Sequence, residues 1–141
     1  MATKPAKSTI RMEGLTLAVK DVRRSVAFYG KKLGLKIEID SAPDFALVRV
    51  GPSASIGLLA ARHAVAKGTK PASKAQHAAI HVELSTDDLD GLYRRLKVRG
   101  VDFTEPPHDE AWERSAQARD PDGYTIEFAQ GRRGRNAPPK R

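Results

Sequence analysis

The sequence predicts an α+β fold made of two copies of one βαβββ unit, and three observations predict it. First, "LTLAVKDVRRSVAFYGKKLGLKI" (15–37) and "HVELSTDDLDGLYRRLKVRGVDF" (81–103) each run strand, acidic turn, amphipathic helix, glycine, strand, with Asp88 following Asp21 at an offset of 67 residues. Second, strand-like runs follow each helix: Leu35–Ile39, Phe45–Val50 and Ala54–Leu59 in the first half, Val101–Phe103, Ser115–Arg119 and Tyr124–Ala129 in the second. Third, one helix on a small sheet buries too little to be stable alone, so the two units must share a core or a sheet.

Each element has a local reason. In the first helix Val22, Val26, Tyr29 and Leu33 recur at helical spacing, and in the second Leu89, Leu92, Tyr93 and Leu96 do the same. These stripes face the core. Gly34 and Gly100 stand where each helix must stop. Between the units, "RHAVAKGTKPASKAQ" (62–76) has no apolar period and several breakers, which marks a linker between modules 12–61 and 77–130. His63 and His77, in or beside that stretch, are expected to be solvated.

Composition narrows the function. The 141-residue chain is 40% hydrophobic and 30% charged, ordinary for one globular domain, placed here at 12–130. The net charge of +8 falls on the ends. Lys4, Lys7 and Arg11 lie in 1–11, and Arg132, Arg133, Arg135, Lys140 and Arg141 in 131–141, with no acid in either stretch. Both ends are expected to be flexible basic tails, and 12–130 is formally neutral, with no specific nucleic-acid signature. No apolar run approaches the roughly 18 residues that cross a bilayer, and the N-terminus lacks the apolar segment of a secretory signal, so the cytoplasm is the expected compartment. Without cysteine there are no disulfides, and any metal would need His, carboxylate or amide ligands.

The segment "DGYTIEFAQ" (122–130) carries the first chemical hint. Period-two alternation puts Tyr124, Ile126 and Phe128 on one sheet face and Thr125, Glu127 and Ala129 on the other, so a lone carboxylate sits in mid-strand.

The βαβββ duplication, with "VKDVRRSVAFYGKKLGL" early, "HVELSTDDLDGLYRRLKVRGVDF" in the middle and "RDPDGYTIEFAQ" at the end, resembles the vicinal-oxygen-chelate superfamily, which includes glyoxalase I, bleomycin-resistance proteins and extradiol dioxygenases. The resemblance covers about residues 12–130. It implies an open U-shaped mixed sheet with flanking helices, a ligand on the concave face and a homodimer, in some members with each site built from two chains. It further implies a metal held by a His or Gln on the first strand and a Glu on the last strand of each module. His81, seven residues before Asp88, and Glu127 match that pattern in the second module; one imidazole and one carboxylate would suit Zn, Ni, Mn or Fe. In the first module Gly14 and Gly57 stand at the equivalent positions, which implies an incomplete site with room in that half of the cavity. His108 or Asp109, in the loop expected at "PPHDEAWER" beside the last strands, is the candidate replacement ligand.

Other candidates surround this pair. Trp112, the sole tryptophan, precedes the last hairpin, where the resemblance implies cavity wall; it serves packing or ligand stacking. Arg49 and Arg114 are anion anchors if they face inward. Two function classes lead. One is a metal-depleted, bleomycin-resistance-like protein that binds a small organic molecule, although so cationic a ligand as bleomycin favours an acidic surface and the folded span is neutral. The other is a lyase, isomerase or dioxygenase using His81 and Glu127, with or without a divalent metal.

Overall fold

The computed structural model describes residues 9–131; most of the two expected tails lies outside them. In chain order the elements are β1 (Gly14–Val19), α1 (Val22–Val26), which continues as a wider π-helical stretch over Ala27–Lys32, β2 (Lys36–Ser41), β3 (Phe45–Val50), β4 (Ala54–Ala60), α2 (Ala61–Ala64), α3 (Lys74–His77), β5 (His81–Ser85), α4 (Leu89–Val98), β6 (Asp102–Asp109), β7 (Glu113–Arg119) and β8 (Thr125–Gly131).

The two acidic turns are helix caps. Asp21 Oδ1 accepts from the backbone N–H of Arg23 at 3.0 Å, and Asp88 Oδ1 from that of Gly91 at 3.0 Å, which satisfies donors that the first helical turn leaves unpaired. At the other ends Gly34 and Gly100 adopt φ of +77° and +83°, a conformation that costs a residue with Cβ far more than glycine.

Each module forms a four-stranded mixed sheet, in the orders β1-β4-β3-β2 and β5-β8-β7-β6. The first strand of each module runs parallel to the last and the other pairs are antiparallel. One face of each sheet carries the core. Leu17, Val19, Ala46, Val48, Ile56 and Leu58 are buried with Val22, Phe28 and Tyr29 of the first helix; Val82, Ala116, Ala118, Ile126 and Phe128 are buried with Leu89 and Leu96 of α4. A large aliphatic side chain contributes about 1.5–3 kcal/mol when taken fully out of water, so this apolar layer is the main source of stability.

Polar bonds from the turn 120–123 pin the modules together. Tyr29 Oη donates to Asp120 Oδ2 at 2.7 Å, Lys20 N donates to Asp122 Oδ1 at 2.8 Å, and Tyr124 Oη donates to the carbonyl of Ala18 at 2.8 Å. Asp120 Oδ1 accepts from the backbone of Asp122 and Tyr124, both at 2.9 Å, so the turn holds its own shape while it holds the first module.

The linker stretch 62–76 includes parts of the short helices α2 and α3, the latter closed by a reciprocal Ser73–Gln76 capping box. One expectation needs correction: "PPHD" is not a loop but lies in β6, an edge strand where proline removes no needed ladder donor, with register slips between Phe103 and Glu105 and between Glu105 and His108.

Candidate functional site

Register places the chemistry-bearing residues of the second module on the sheet face opposite its core. In the parallel pair β5–β8, His81 lies opposite Thr125 and Glu83 opposite Glu127; in β7–β8, Gln117 lies on the other side of Glu127. Because strand side chains alternate, His81, Glu83, Glu127, Gln117 and Glu113 share one face. His81 and Glu127 meet there. Nδ1 of His81 is 3.4 Å from Oε2 of Glu127, with the side chains 43% and 19% exposed. A proton on Nδ1 directed at the carboxylate would leave Nε2 as the free lone pair of the ring.

Glu113 and Glu83 were not singled out from the sequence, and they change the character of the site. Burial pushes the Glu113 carboxyl above the usual carboxylate range; the Glu127 charge and a hydrogen bond to Glu127 push it the same way, as does Glu83, while a hydrogen bond from Trp112 opposes them. Three carboxyl groups thus share one sheet face with an imidazole, and although Arg119 is on the same face, its guanidinium is directed at Thr125 Oγ1, 2.8 Å away. The formal neutrality of 12–130 conceals a local acidic patch. Period two within "HVE" and "ERSAQ" was the available signal for Glu83, Glu113 and Gln117.

The remaining candidates separate. Trp112 is 47% exposed and next to Glu113, at the margin of the face. Arg114 alternates to the core side and binds Asp90 of α4, through Nε at 3.1 Å and Nη2 at 3.0 Å, and Asp109 at 3.1 Å, which ties the helix to the sheet away from the His81–Glu127 face. Arg49 lies on the corresponding face of the first sheet, already neutralised by Glu38 at 2.6 Å. His77 is not simply solvated: its ring stacks on Tyr124 at a centroid distance of 4.1 Å and its Nδ1 is 2.8 Å from the Asp122 carbonyl. His63 pairs with Asp44 at 3.0 Å.

A divalent metal does not fit the donor set. His81 and Glu127 are at hydrogen-bond distance from each other, while Nε2 of His108 is 2.9 Å from Glu110 and 3.7 Å from Glu105. Among the described residues no three His, Asp or Glu side chains form a group able to hold an ion. Nor do the glycines of the first module leave room. Gly14 lies against the backbone of Ser55, 1.8 Å from where a Cβ would stand, and a Cβ on Gly57 would approach Thr16 Oγ1 to 2.8 Å and the Phe45 ring to 3.3 Å. Thr16 and Phe45 fill the space that an acidic side chain at 57 would need.

The repeated modules and this single polar sheet face define a protein of the glyoxalase type. The family model "Glyoxalase/Bleomycin resistance protein/Dioxygenase superfamily" matches residues 11–128, and the chain belongs to that superfamily. It is 31% identical over 120 residues to the uncharacterized protein YraH of Bacillus subtilis (strain 168), covering 81% of this chain and 93% of that one. Among solved structures it resembles a glyoxalase/bleomycin resistance protein/dioxygenase from Nocardioides, with 26% identity, a TM-score of 0.72 and coverage of 92% of this chain and 88% of that one. The fold is also that of TnmS3, an antibiotic binding protein from Streptomyces sp. CB03234, with 23% identity, a TM-score of 0.71 and coverage of 90% of this chain and all (100%) of that one. Among the described residues no helix is long and apolar enough to cross a membrane.

Proposed function

We propose that this protein binds a small organic molecule on the open face of its second sheet, through His81, Glu127 and Glu113 and without a complete metal site. The observation that carries the reading is that Glu83, Glu113 and Glu127 share the sheet face of His81, with Trp112 at the margin. Charge complementarity selects a ligand with an amine or amidine on an aromatic body: the cation meets the carboxylates and the ring meets the indole.

A homodimer extends the same reading. On the first sheet, Leu47 lies opposite Ile39 and Gly57, and Phe45 opposite Leu59, so the face opposite the core is largely apolar; Ile39 is 44% exposed. The first sheet of one copy would supply an apolar wall across from the carboxylates of the other.

The test is a thermal-shift screen of aromatic amines, with aromatic carboxylates as controls. A stabilising amine is expected, and Glu127→Gln should weaken it about tenfold, the scale of one charge-assisted hydrogen bond. Stabilisation by carboxylates alone, or an unchanged response in the variant, would count against the reading. A second reading, lyase or isomerase chemistry, draws on the His81–Glu127 contact, which would orient Nε2 as a general base. It differs in its readout: Glu127→Gln would then reduce turnover by orders of magnitude with little change in substrate affinity.

A further inference from the structure

A groove of about 630 Å³ runs between the linker and the end of β1, and it shares no residue with the open face of the second sheet. Its outer wall is apolar, with Ala61, Val65, Pro71, Ala72 and Ile80, and its inner side holds Val19 and the His77–Tyr124 stack. A volume of this size, lined mainly by apolar groups with a few polar ones, suits a small organic ligand. We propose that it is a second small-molecule site, which takes an aromatic body carrying one anionic group.

The charges on the groove specify the sign. Lys20, Arg24, Arg62 and Lys74 line it, and Asp122 is the one acid among its lining residues. Asp122 is only 6% exposed, and its oxygens already accept from Lys20 N at 2.8 Å, Arg24 Nη2 at 3.4 Å and Ser25 Oγ at 3.4 Å. Arg62 is paired with Asp44. The ammonium groups of Lys20 and Lys74 have no ion pair among the described residues, which leaves two cations at an apolar groove whose single carboxylate is engaged elsewhere. An aromatic anion satisfies both halves of this description: its ring covers the apolar wall and its charge meets the lysines. The basic ends of the chain itself are poor occupants, because their charge has the same sign as the rim.

Naphthoate, naphthylmethanol and naphthylmethylammonium test the proposal as an isosteric anionic, neutral and cationic set. Each is titrated into isotopically labelled full-length protein, with affinity from calorimetry and location from amide chemical shifts. In the groove, naphthoate is expected to bind most tightly of the three, with shifts at amides in 18–24, 61–80 and 122–124. Lys20→Glu with Lys74→Glu should weaken it at least about tenfold, and the milder Lys20→Gln with Lys74→Gln by a smaller factor; all four substitutions replace exposed side chains. The proposal is overturned if naphthoate does not saturate by about 1 mM, if the neutral or cationic analogue binds as tightly with shifts at these same groove amides, if both double variants keep wild-type affinity, or if the naphthoate shifts fall on 81–85, 113–117 and 127. The last result would locate the anion on the open face and count against the amine reading of that face as well, whereas the other three leave that reading intact.

Discussion

Glu113 sets the behaviour of its sheet face at the scale of one residue. It is beside Glu127 and under the field of Glu83, and burial alone would already raise its affinity for a proton. A raised folded value means that the folded state holds the proton more tightly than the unfolded chain does. The resulting stability is therefore complete below the unfolded value and is lost as pH rises through the folded one. Glu113→Gln imitates the protonated form. It should be more stable than the wild type at pH 7, by about 0.5 kcal/mol for a solvent-screened charge, with a higher melting temperature, and the gain should vanish at about pH 3, where the carboxyl is protonated in the folded and the unfolded state alike. Thermal melts at the two pH values check this, and a variant less stable at pH 7 would contradict it.

At the scale of elements, the turn at 120–123 does more than reverse the chain. Tyr29 is fully buried and its hydroxyl reaches Asp120, itself 5% exposed, across 91 residues of sequence. Burial first, and then the charge and hydrogen bond of Asp120, hold the Tyr29 hydroxyl protonated far above the ordinary tyrosine range. Tyr29→Phe would leave Asp120 Oδ2 without its donor in a dry place, at a cost of about 1–3 kcal/mol. Chemical denaturation should show the midpoint falling with an unchanged slope, since the surface exposed on unfolding stays the same. This contact was hidden in the sequence for a clear reason. The periodicity of Val22, Val26, Tyr29 and Leu33 identifies the apolar stripe of the helix, but nothing local says that one of its members carries a hydroxyl to a distant aspartate. By contrast, the resemblance carried by "HVELSTDDLDGLYRRLKVRGVDF" and "RDPDGYTIEFAQ" pointed to His81 and Glu127 as one pair, and the β5–β8 register puts them on one face. What alternation leaves open is which neighbours share that face, and so the carboxylates of Glu83 and Glu113 escaped notice. The same blindness applied to Arg114, whose partner Asp90 is on a helix and not on a neighbouring strand.

For the whole molecule, the two modules have kept one architecture while their exposed faces diverged: Gly14, Thr16 and Gly57 in one hold the positions of His81, Glu83 and Glu127 in the other. The proposed dimer uses that difference. Leu47→Asp puts a charge in the centre of the apolar face, so light scattering should find a dimer for the wild type and a monomer for the variant, with the circular dichroism of the fold retained; a wild-type monomer at micromolar concentration would refute the proposed assembly. The bond from Lys20 N to Asp122 has a further consequence in the currency of isotope exchange. Its side chain is exposed, yet its amide proton is held by a nearly buried carboxylate 102 residues away in sequence. Local fraying of a strand end does not release such a proton; the junction between the modules must open. The rate at which Lys20 takes up deuterium thus measures how often the two halves of the chain part, from a single resonance.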